Sequence, residues 1–403
     1  MRLSKLFTKT TRQNPADEVS VNAQLLERGG FVYKNNAGVY TYLPLGWRVI
    51  QKIQSIIREE MNAIGGQEML MPALIDKKYY EAAGRGKLEV GFKTDDGNFI
   101  MSWTHEEIMT AIAARFVGSY KDFPFATYQI QTKFRNEKRA KSGMLRGKEF
   151  MMKDMYSFHA SESDLYEFYE SVAKAYTKIF ERCGLKAYYT IAAGGDFTTN
   201  NTHEFQVLTK AGEDIIYLCP KCEYAINKEI SDVKMGDPCP KCGEEVIEEK
   251  SIEVGNIFPY GSKYADALGL SFIDEHGEKK PVITGAYGIG LGRVMGTVVE
   301  VHHDDNGIVW PDSLAPFRVH LIALPGGEAE AEQLYSALHN SEILFDDRPD
   351  KTAGEKFADA DLIGCPFRIV ISKKTVLEGS AELKQRHNGN TQLIHLTEVP
   401  NQI

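Results

Sequence analysis

Along the 403-residue chain, apolar residues recur at helical spacing in long stretches, and strand-like runs lie between them. In residues 16–30, Val19, Ala23 and Leu26 keep a helical period that stops at Gly29-Gly30. Residues 38–46 read as a strand ending in a turn. In residues 47–61, Ile50, Ile53, Ile57 and Met61 mark one face of an amphipathic helix closed by Gly65-Gly66. Residues 99–103 predict a strand feeding a helix over 104–112, with Thr104 and Glu107 spaced as a capping box. An apolar run reaches Phe134, a polar loop turns at Ser142-Gly143, and a second run starts at Phe150, which predicts two antiparallel strands joined by a long loop. Residues 161–183 form another amphipathic pattern, with Leu165, Phe168, Val172, Tyr176 and Ile179 on one side and Ser161 with Asp164 as the cap. A strand over 187–193 follows.

Past a boundary at residues 307–312 the pattern changes. Strands over 317–324, 342–346 and 367–372 alternate with helices over 328–339 and 355–363, a βαβαβ order that predicts a small, mostly parallel α/β domain. No internal repeat or low-complexity segment interrupts the chain.

The composition, 43% hydrophobic and 26% charged, is that of a soluble globular protein with room for two or three domains. No apolar run approaches a membrane span and the start of the chain lacks a signal region, so a cytoplasmic protein without a membrane partner is expected. Of the six cysteines, four stand as Cys219-Pro-Lys-Cys222 and Cys239-Pro-Lys-Cys242. Two such knuckles match a tetrahedral four-thiolate zinc ribbon, a closed structural site with no open position for catalysis. Cys183 and Cys365 stand apart and are expected to be buried thiols.

Net charge is −9, yet Lys133, Arg135, Lys138, Arg139, Lys141, Arg146, Lys148 and Lys153 face only Glu137 and Glu149 within residues 133–153. Such a stretch could be a solvated basic hairpin or a surface that meets a polyanion. Its Phe134-Arg135-Asn136-Glu137 core, the spacing of Arg146 to Phe150 and the run of residues 152–159 resemble motif 2 of class II aminoacyl-tRNA synthetases. The whole chain resembles the bacterial-type prolyl-tRNA synthetases. Residues 47–72 resemble the dimer-forming motif 1. Residues 284–293, a glycine series ending in Arg293, resemble motif 3; the glycines lack the spacing of a dinucleotide loop. Ala286 stands where many members carry cysteine.

The resemblance implies an α+β class II catalytic domain, an antiparallel sheet with helices, over residues 1–213 and 251–312. It implies a zinc ribbon over 214–250, in place of the family's editing insertion, and an α/β anticodon-binding domain over 313–403. It implies a proline–tRNA ligase acting on proline, ATP with Mg²⁺, and tRNA(Pro), as a homodimer. By the same resemblance Arg135 and Arg293 are catalytic; Thr104, Glu106, Arg135 and His203 bind proline; and Arg135, Glu137, Arg146, Phe150 and Arg293 bind ATP. Glu204, beside His203 in Thr202-His-Glu-Phe205, is a further candidate. Thr202 replaces the family's serine, and the loop before it departs from the family's pattern. Two other readings fit the residues: a paralogue that activates an amino acid without charging tRNA, and a zinc-ribbon nucleic-acid-binding protein on an inactive scaffold. The loss of the editing insertion implies that alanyl-tRNA is not cleared by this chain.

Overall fold

The computed structural model describes residues 1–403 except 17, 87–88, 139–141, 196–197, 199–200, 339–341 and 403. Arg139 and Lys141 of the basic stretch, His339 at the end of a predicted helix and part of the loop before Thr202 therefore lie outside the described residues. The chain divides into two compact units, one of residues 1–35, 40–52 and 298–403, the other of 36–39 and 53–297. This partition differs from one drawn at residue 313, since N-terminal segments pack with the C-terminal strands.

The larger unit is built on a sheet that has nine strands among the described residues. They are β1 (Gly66–Glu68), β2 (Phe125–Phe134), β3 (Glu149–His159), β4 (Ala187–Ala192), β5 (Thr202–Leu208), β6 (Asp214–Leu218), β7 (Ala225–Asn227), β8 (Ile247–Gly261) and β9 (Ile283–Gly290). Their order is β6-β7-β4-β5-β8-β9-β3-β2-β1, antiparallel except for β1 on β2 and β7 on β4. β2 and β3 pair from Phe125 opposite Phe158 to Phe134 opposite Glu149, as the two runs around the basic loop predict. The loop turns where expected, with Ser142 and Gly143 both left-handed at φ 69° and 64°. β8 bulges between Glu253 and Gly255. A Cβ on Gly255 would lie 2.9 Å from the Phe180 ring, so the helix behind the sheet requires glycine there.

Helices α1 (Val21–Arg28), α2 (Pro44–Ala63), α3 (Glu106–Phe116) and α4 (Glu162–Arg182) follow the predicted helical stretches with shifted ends, and α5 (Leu291–Val301) runs on from β9. α2 begins at Pro44, ahead of the predicted start, because proline's fixed φ suits the first helical position. Its Ile50, Ile53, Ile57 and Met61 are buried. Val19 does not share the buried face of α1: it precedes the helix and is 92% exposed, while Ala23, Leu25 and Leu26 are buried. Ser161 caps α4 by accepting from the Asp164 amide. The predicted capping box at Thr104 and Glu107 does not form. α3 starts at Glu106 with His105 as an N-cap that makes no side-chain bond, and Glu107 turns to a buried arginine instead. A charge partner for a buried carboxylate outweighs a single cap bond.

In the smaller unit, β10 (Val319–Ala323), β11 (Ile343–Asp346) and β12 (Phe367–Ile371) are parallel, with α6 (Glu328–Ala337) and α7 (Ala353–Ile363) as the crossovers. β13 (Ser380–Gln385) and β14 (Thr391–His395) add an antiparallel edge absent from the sequence reading. The Asp346-Asp347-Arg348 run is partly structural. Arg348 grips Asp346 through two bonds of 2.8 and 2.6 Å and reaches Asp359 at 2.8 Å.

Candidate active site and four-cysteine cluster

A cavity of about 320 Å³ opens on the larger sheet, the size of a small-molecule site. The loop between β2 and β3, β3 itself, β8, β9 and the starts of α3 and α5 supply its lining. Thr104, Glu106, Arg135, Glu137, Arg146, Phe150 and Arg293 all reach it, so the structure brings together seven residues singled out across nearly 190 positions.

Arg135 leaves the end of β2, where its amide donates to the Lys148 carbonyl at 2.8 Å. Its guanidinium sits 5.3 Å from the Phe150 ring centre and donates to the Trp103 carbonyl at 3.4 Å. Burial, then the charge of Arg293, press its pKa below the usual arginine value. A half-buried cation beside a second cation is a site prepared for an anion. Arg293, near the start of α5, donates to the Leu145 carbonyl at 2.9 Å and is paired with Glu253 at 3.0 Å. Arg146 lies between Glu213 at 2.8 Å and Glu137 at 3.5 Å. The cations of the cavity are thus each held in place by carbonyls or carboxylates.

A different polarity prevails around Glu106. One carboxylate oxygen accepts from the Tyr260 hydroxyl at 3.0 Å, the other from Arg85 at 3.2 Å. Thr104 Oγ1 is buried and has no partner among the described residues, a donor and acceptor left for a ligand. Ala286 also lines the cavity, where its short side chain leaves room.

Beneath this end runs a buried network that the basic-stretch reading misassigned. Lys133 and Lys153, counted among the cations offered to a polyanion, are fully buried. They lie inside strands, where side chains alternate between the two covered faces of the sheet. Lys153 donates to the Tyr176 hydroxyl and the Tyr287 carbonyl, and burial holds its pKa well below the usual lysine value. Lys133 donates to Asp154 at 2.8 Å and to His105 Nδ1 at 2.7 Å. Because His105 Nε2 meets the Pro72 carbonyl at 2.9 Å, that nitrogen carries the proton and Nδ1 accepts. Burial, then Lys133, lower the His105 pKa to about 4, so the ring is neutral at physiological pH. Asp154 also accepts from Gln129 at 2.9 Å and from Tyr156 at 2.8 Å, and the Tyr156 hydroxyl accepts the His105 amide at the head of α3. These residues, with Arg85, Tyr260 and Glu253, were missed because their contacts span tens to hundreds of positions. The one local sign was charge inside an otherwise apolar strand.

His203 is not brought to the cavity. Its ring stacks on Tyr189 with centres 4.2 Å apart, and Nδ1 lies 3.0 Å from the Tyr169 hydroxyl. That hydroxyl also donates to the Ile257 carbonyl at 3.0 Å, so Nδ1 is the donor to it. Burial, then Lys241, lower the His203 pKa to about 4. Neighbouring Glu204 accepts from Gln206, Asn227 and Asn256, and burial with the nearby Glu253 pushes its pKa up.

The four knuckle cysteines converge, with ligand atoms all within 4.8 Å of one another. Both knuckles repeat one turn. The amides of Glu223 and Gly243 donate to the carbonyls of Cys219 and Cys239 at 3.0 and 2.8 Å, and both residues take a left-handed φ, 57° and 77°. Four sulfurs converging from two equivalent turns fit a tetrahedral Zn²⁺. The cluster packs with Tyr217, Ile226 and Val246 and against Ile191 of β4, so residues 214–250 extend the nine-stranded sheet. Cys183 and Cys365 are buried, and burial raises both thiols to about 12.

Residues 89–302 match the class II core domain of the tRNA synthetases for G, H, P, S and T, and residues 319–403 match an anticodon binding domain. Fold and site define a class II aminoacyl-tRNA synthetase. The chain is 33% identical over 554 residues to the proline–tRNA ligase of Desulforamulus reducens, covering 98% of this chain and 97% of the relative. It is 33% identical over 566 residues to that of Pelotomaculum thermopropionicum, covering 100% and 99%. The chain belongs to the proline–tRNA ligase family. Both alignments run over more positions than the 403 residues here, so each relative carries a long stretch with no counterpart in this chain. In fold, the chain is similar to prolyl-tRNA synthetase of Cryptosporidium parvum, with a TM-score of 0.77 at 17% identity over 94% of this chain and 73% of that one. One structure of that protein is a complex with L-proline and AMP, another with halofuginone and AMPPNP.

Proposed function

We propose that the cavity joins proline to ATP and passes the prolyl group to the 3′ end of tRNA(Pro). The observation that carries this reading is the polarity of the cavity, with a carboxylate and an orphan hydroxyl, Glu106 and Thr104, across from the cations Arg135, Arg146 and Arg293. Glu106 takes the secondary ammonium of proline through a charge-assisted bond. Arg135 holds the proline carboxylate and the α-phosphate together, so an oxygen of that carboxylate lies in line with the α-phosphorus. As the new P–O bond forms and the bond to the β-phosphate breaks, Arg135 offsets the charge gathering on the α-phosphoryl oxygens. Phe150 and Glu137 face the adenine, while Arg146 and Arg293 hold the outer phosphates. Glu253 is the carboxylate placed to meet a divalent ion carried by those phosphates. Mg²⁺ bound there would supply charge neutralisation for the departing pyrophosphate. The terminal ribose hydroxyl of tRNA then attacks the prolyl carbonyl and AMP leaves. His203 acts from behind the cavity, bracing β5 against β8 through Tyr169. The smaller unit reads single-stranded anticodon bases by stacking and edge hydrogen bonds.

Proline-dependent ATP–pyrophosphate exchange, followed by charging of total tRNA with labelled proline, tests the reading. Exchange without charging would leave only amino-acid activation, and absence of both would refute the assignment. Residues 214–250 wrap a thiolate cluster and pair with the synthetase sheet, which leaves that segment no room for a hydrolytic pocket. Preformed alanyl-tRNA is therefore expected to survive incubation with the enzyme at the enzyme-free rate, and faster loss would reveal an editing site elsewhere.

The cluster is proposed to hold one structural Zn²⁺. Metal analysis should find about one zinc per chain, lost on Cys219→Ser with Cys222→Ser, and thermal stability should fall before the chemistry does. A metal-free wild-type chain of unchanged stability would refute this. No helix among the described residues is long and apolar enough to cross a membrane, which suits action in the cytoplasm. Leu70 and Leu74, 71% and 49% exposed in the segment after α2, give a second copy an apolar surface to cover. Light scattering at micromolar concentration should report a dimer, and a monomer would count against it.

A further inference from the structure

Glu106 and Glu107 begin α3 side by side, and both are buried. Two adjacent carboxylates out of water do not both ionise unless a cation holds them. That cation is Arg85, from the segment that follows the short helix Lys77–Ala82. Its guanidinium is buried between the rings of Trp103 and Tyr264, 5.7 and 5.8 Å from their centres. Its Nη1 donates to Glu107 Oε1 at 2.8 Å and to Glu106 Oε2 at 3.2 Å. Only Glu106 of the pair lines the cavity. Glu107 is 1% exposed, and its Oε2 has no partner among the described residues. The amide of Arg85 donates to the Tyr80 carbonyl at 2.7 Å, and the Tyr80 hydroxyl donates to the Thr104 carbonyl at 2.9 Å, so the same segment supports both proline-facing residues.

We infer that Arg85 and Glu107 form a charge-balancing pair behind the substrate site, which leaves the three-residue cluster with one net negative charge, presented on Glu106 to the ammonium of proline. Neither residue touches substrate; both position and tune the one that does. The inference rests on the assignment of Glu106 to proline. Burial, followed by the charge of Glu106, pushes the Glu107 pKa up, consistent with two carboxylates in competition for one guanidinium.

The balance makes both of two opposite changes harmful. Without the guanidinium, Glu106 and Glu107 share a proton, and the one negative charge left is divided between them instead of standing on Glu106. Without the Glu107 charge, Arg85 pairs with Glu106 alone and neutralises it. Removing both restores a single carboxylate. A residue that serves packing alone does not show this reversal.

The experiment measures KM for proline and for ATP by pyrophosphate exchange in Arg85→Met, Glu107→Gln, the double variant and Glu106→Gln. Arg85→Met should raise the proline KM about 30-fold and Glu107→Gln about 10-fold, the range of a hydrogen bond to a charged group, with the ATP KM within about twofold of wild type. The double variant should return to within about fivefold, a coupling between neighbours that additive damage does not produce. A double variant no better than Arg85→Met overturns the inference. If Arg85→Met does not fold, Glu107→Gln decides, because it keeps shape and guanidinium: an unchanged proline KM overturns the inference and a raised one with normal ATP KM supports it. Glu106→Gln separates the two levels. No effect there refutes the proline assignment itself, whereas a large effect without the Arg85–Glu107 reversal refutes only the charge balance.

Discussion

Arg135→Lys is expected to lower proline-dependent pyrophosphate exchange by about 100-fold or more, equivalent to about 2.7 kcal/mol of transition-state stabilisation. The charge survives the change, so a long-range electrostatic role alone would leave most activity intact. A planar guanidinium bonds carboxylate and phosphate oxygens at once in a fixed fork, and an ammonium does not. In this cavity Arg135 is further fixed by the Trp103 carbonyl at 3.4 Å and the face of Phe150, contacts that a lysine would not reproduce. The loss should fall on kcat, because the bonds tighten as charge moves to the α-phosphoryl oxygens. Exchange within a few-fold of wild type would remove Arg135 from the chemistry.

Asp154→Ala is expected to destabilise the larger unit by about 3–5 kcal/mol, the cost of leaving one member of a buried ion pair alone. Among the described residues, Lys133 would keep His105 Nδ1 as its side-chain partner while remaining fully buried. Burial alone would raise the Asp154 pKa, but the charge of Lys133 holds it below the ordinary carboxylate value. The Tyr156 hydroxyl, which receives the His105 amide at the head of α3, would lose its acceptor as well. The urea midpoint of the transition followed by tryptophan fluorescence measures the effect. Changing Asp154 to Leu together with Lys133 to Met should recover much of the loss, because no lone charge remains buried. A single variant as stable as wild type would show that the network bears little of the stability.

Much of the candidate site was legible because its chemistry is local in sequence. Arg135 and Glu137 sit two residues apart at a strand end and Arg293 follows a glycine-rich strand, so each falls within a short motif, and the resemblance of those motifs to motifs 2 and 3 named them as candidates. The cysteine knuckles were legible for the same reason, since each pair lies in one turn. His203 was named on resemblance, and the fold puts its ring against Tyr189, outside the cavity lining. Residue type and motif indicate which strand a residue occupies; which face it presents depends on what packs there.

The sequence by itself determined the amphipathic helices, the hairpin of β2 and β3, the α/β order of the smaller unit and the converging thiolates. Each depends on spacing within one or two elements, where a period of two or 3.6 and a turn residue suffice. Only the tertiary structure decided which charges are chemical and which are structural. Lys133 and Lys153 read as part of a basic surface until the sheet was covered on both sides. Glu107 read as a cap until Arg85 arrived from 22 positions upstream. The antiparallel edge of β13 and β14 likewise took its place from pairing with β12, not from any local period. The physical reason is common to all three. Burial and partner choice set the free energy of a charge or a strand edge, and both are properties of contacts between segments that the order of residues along the chain does not contain.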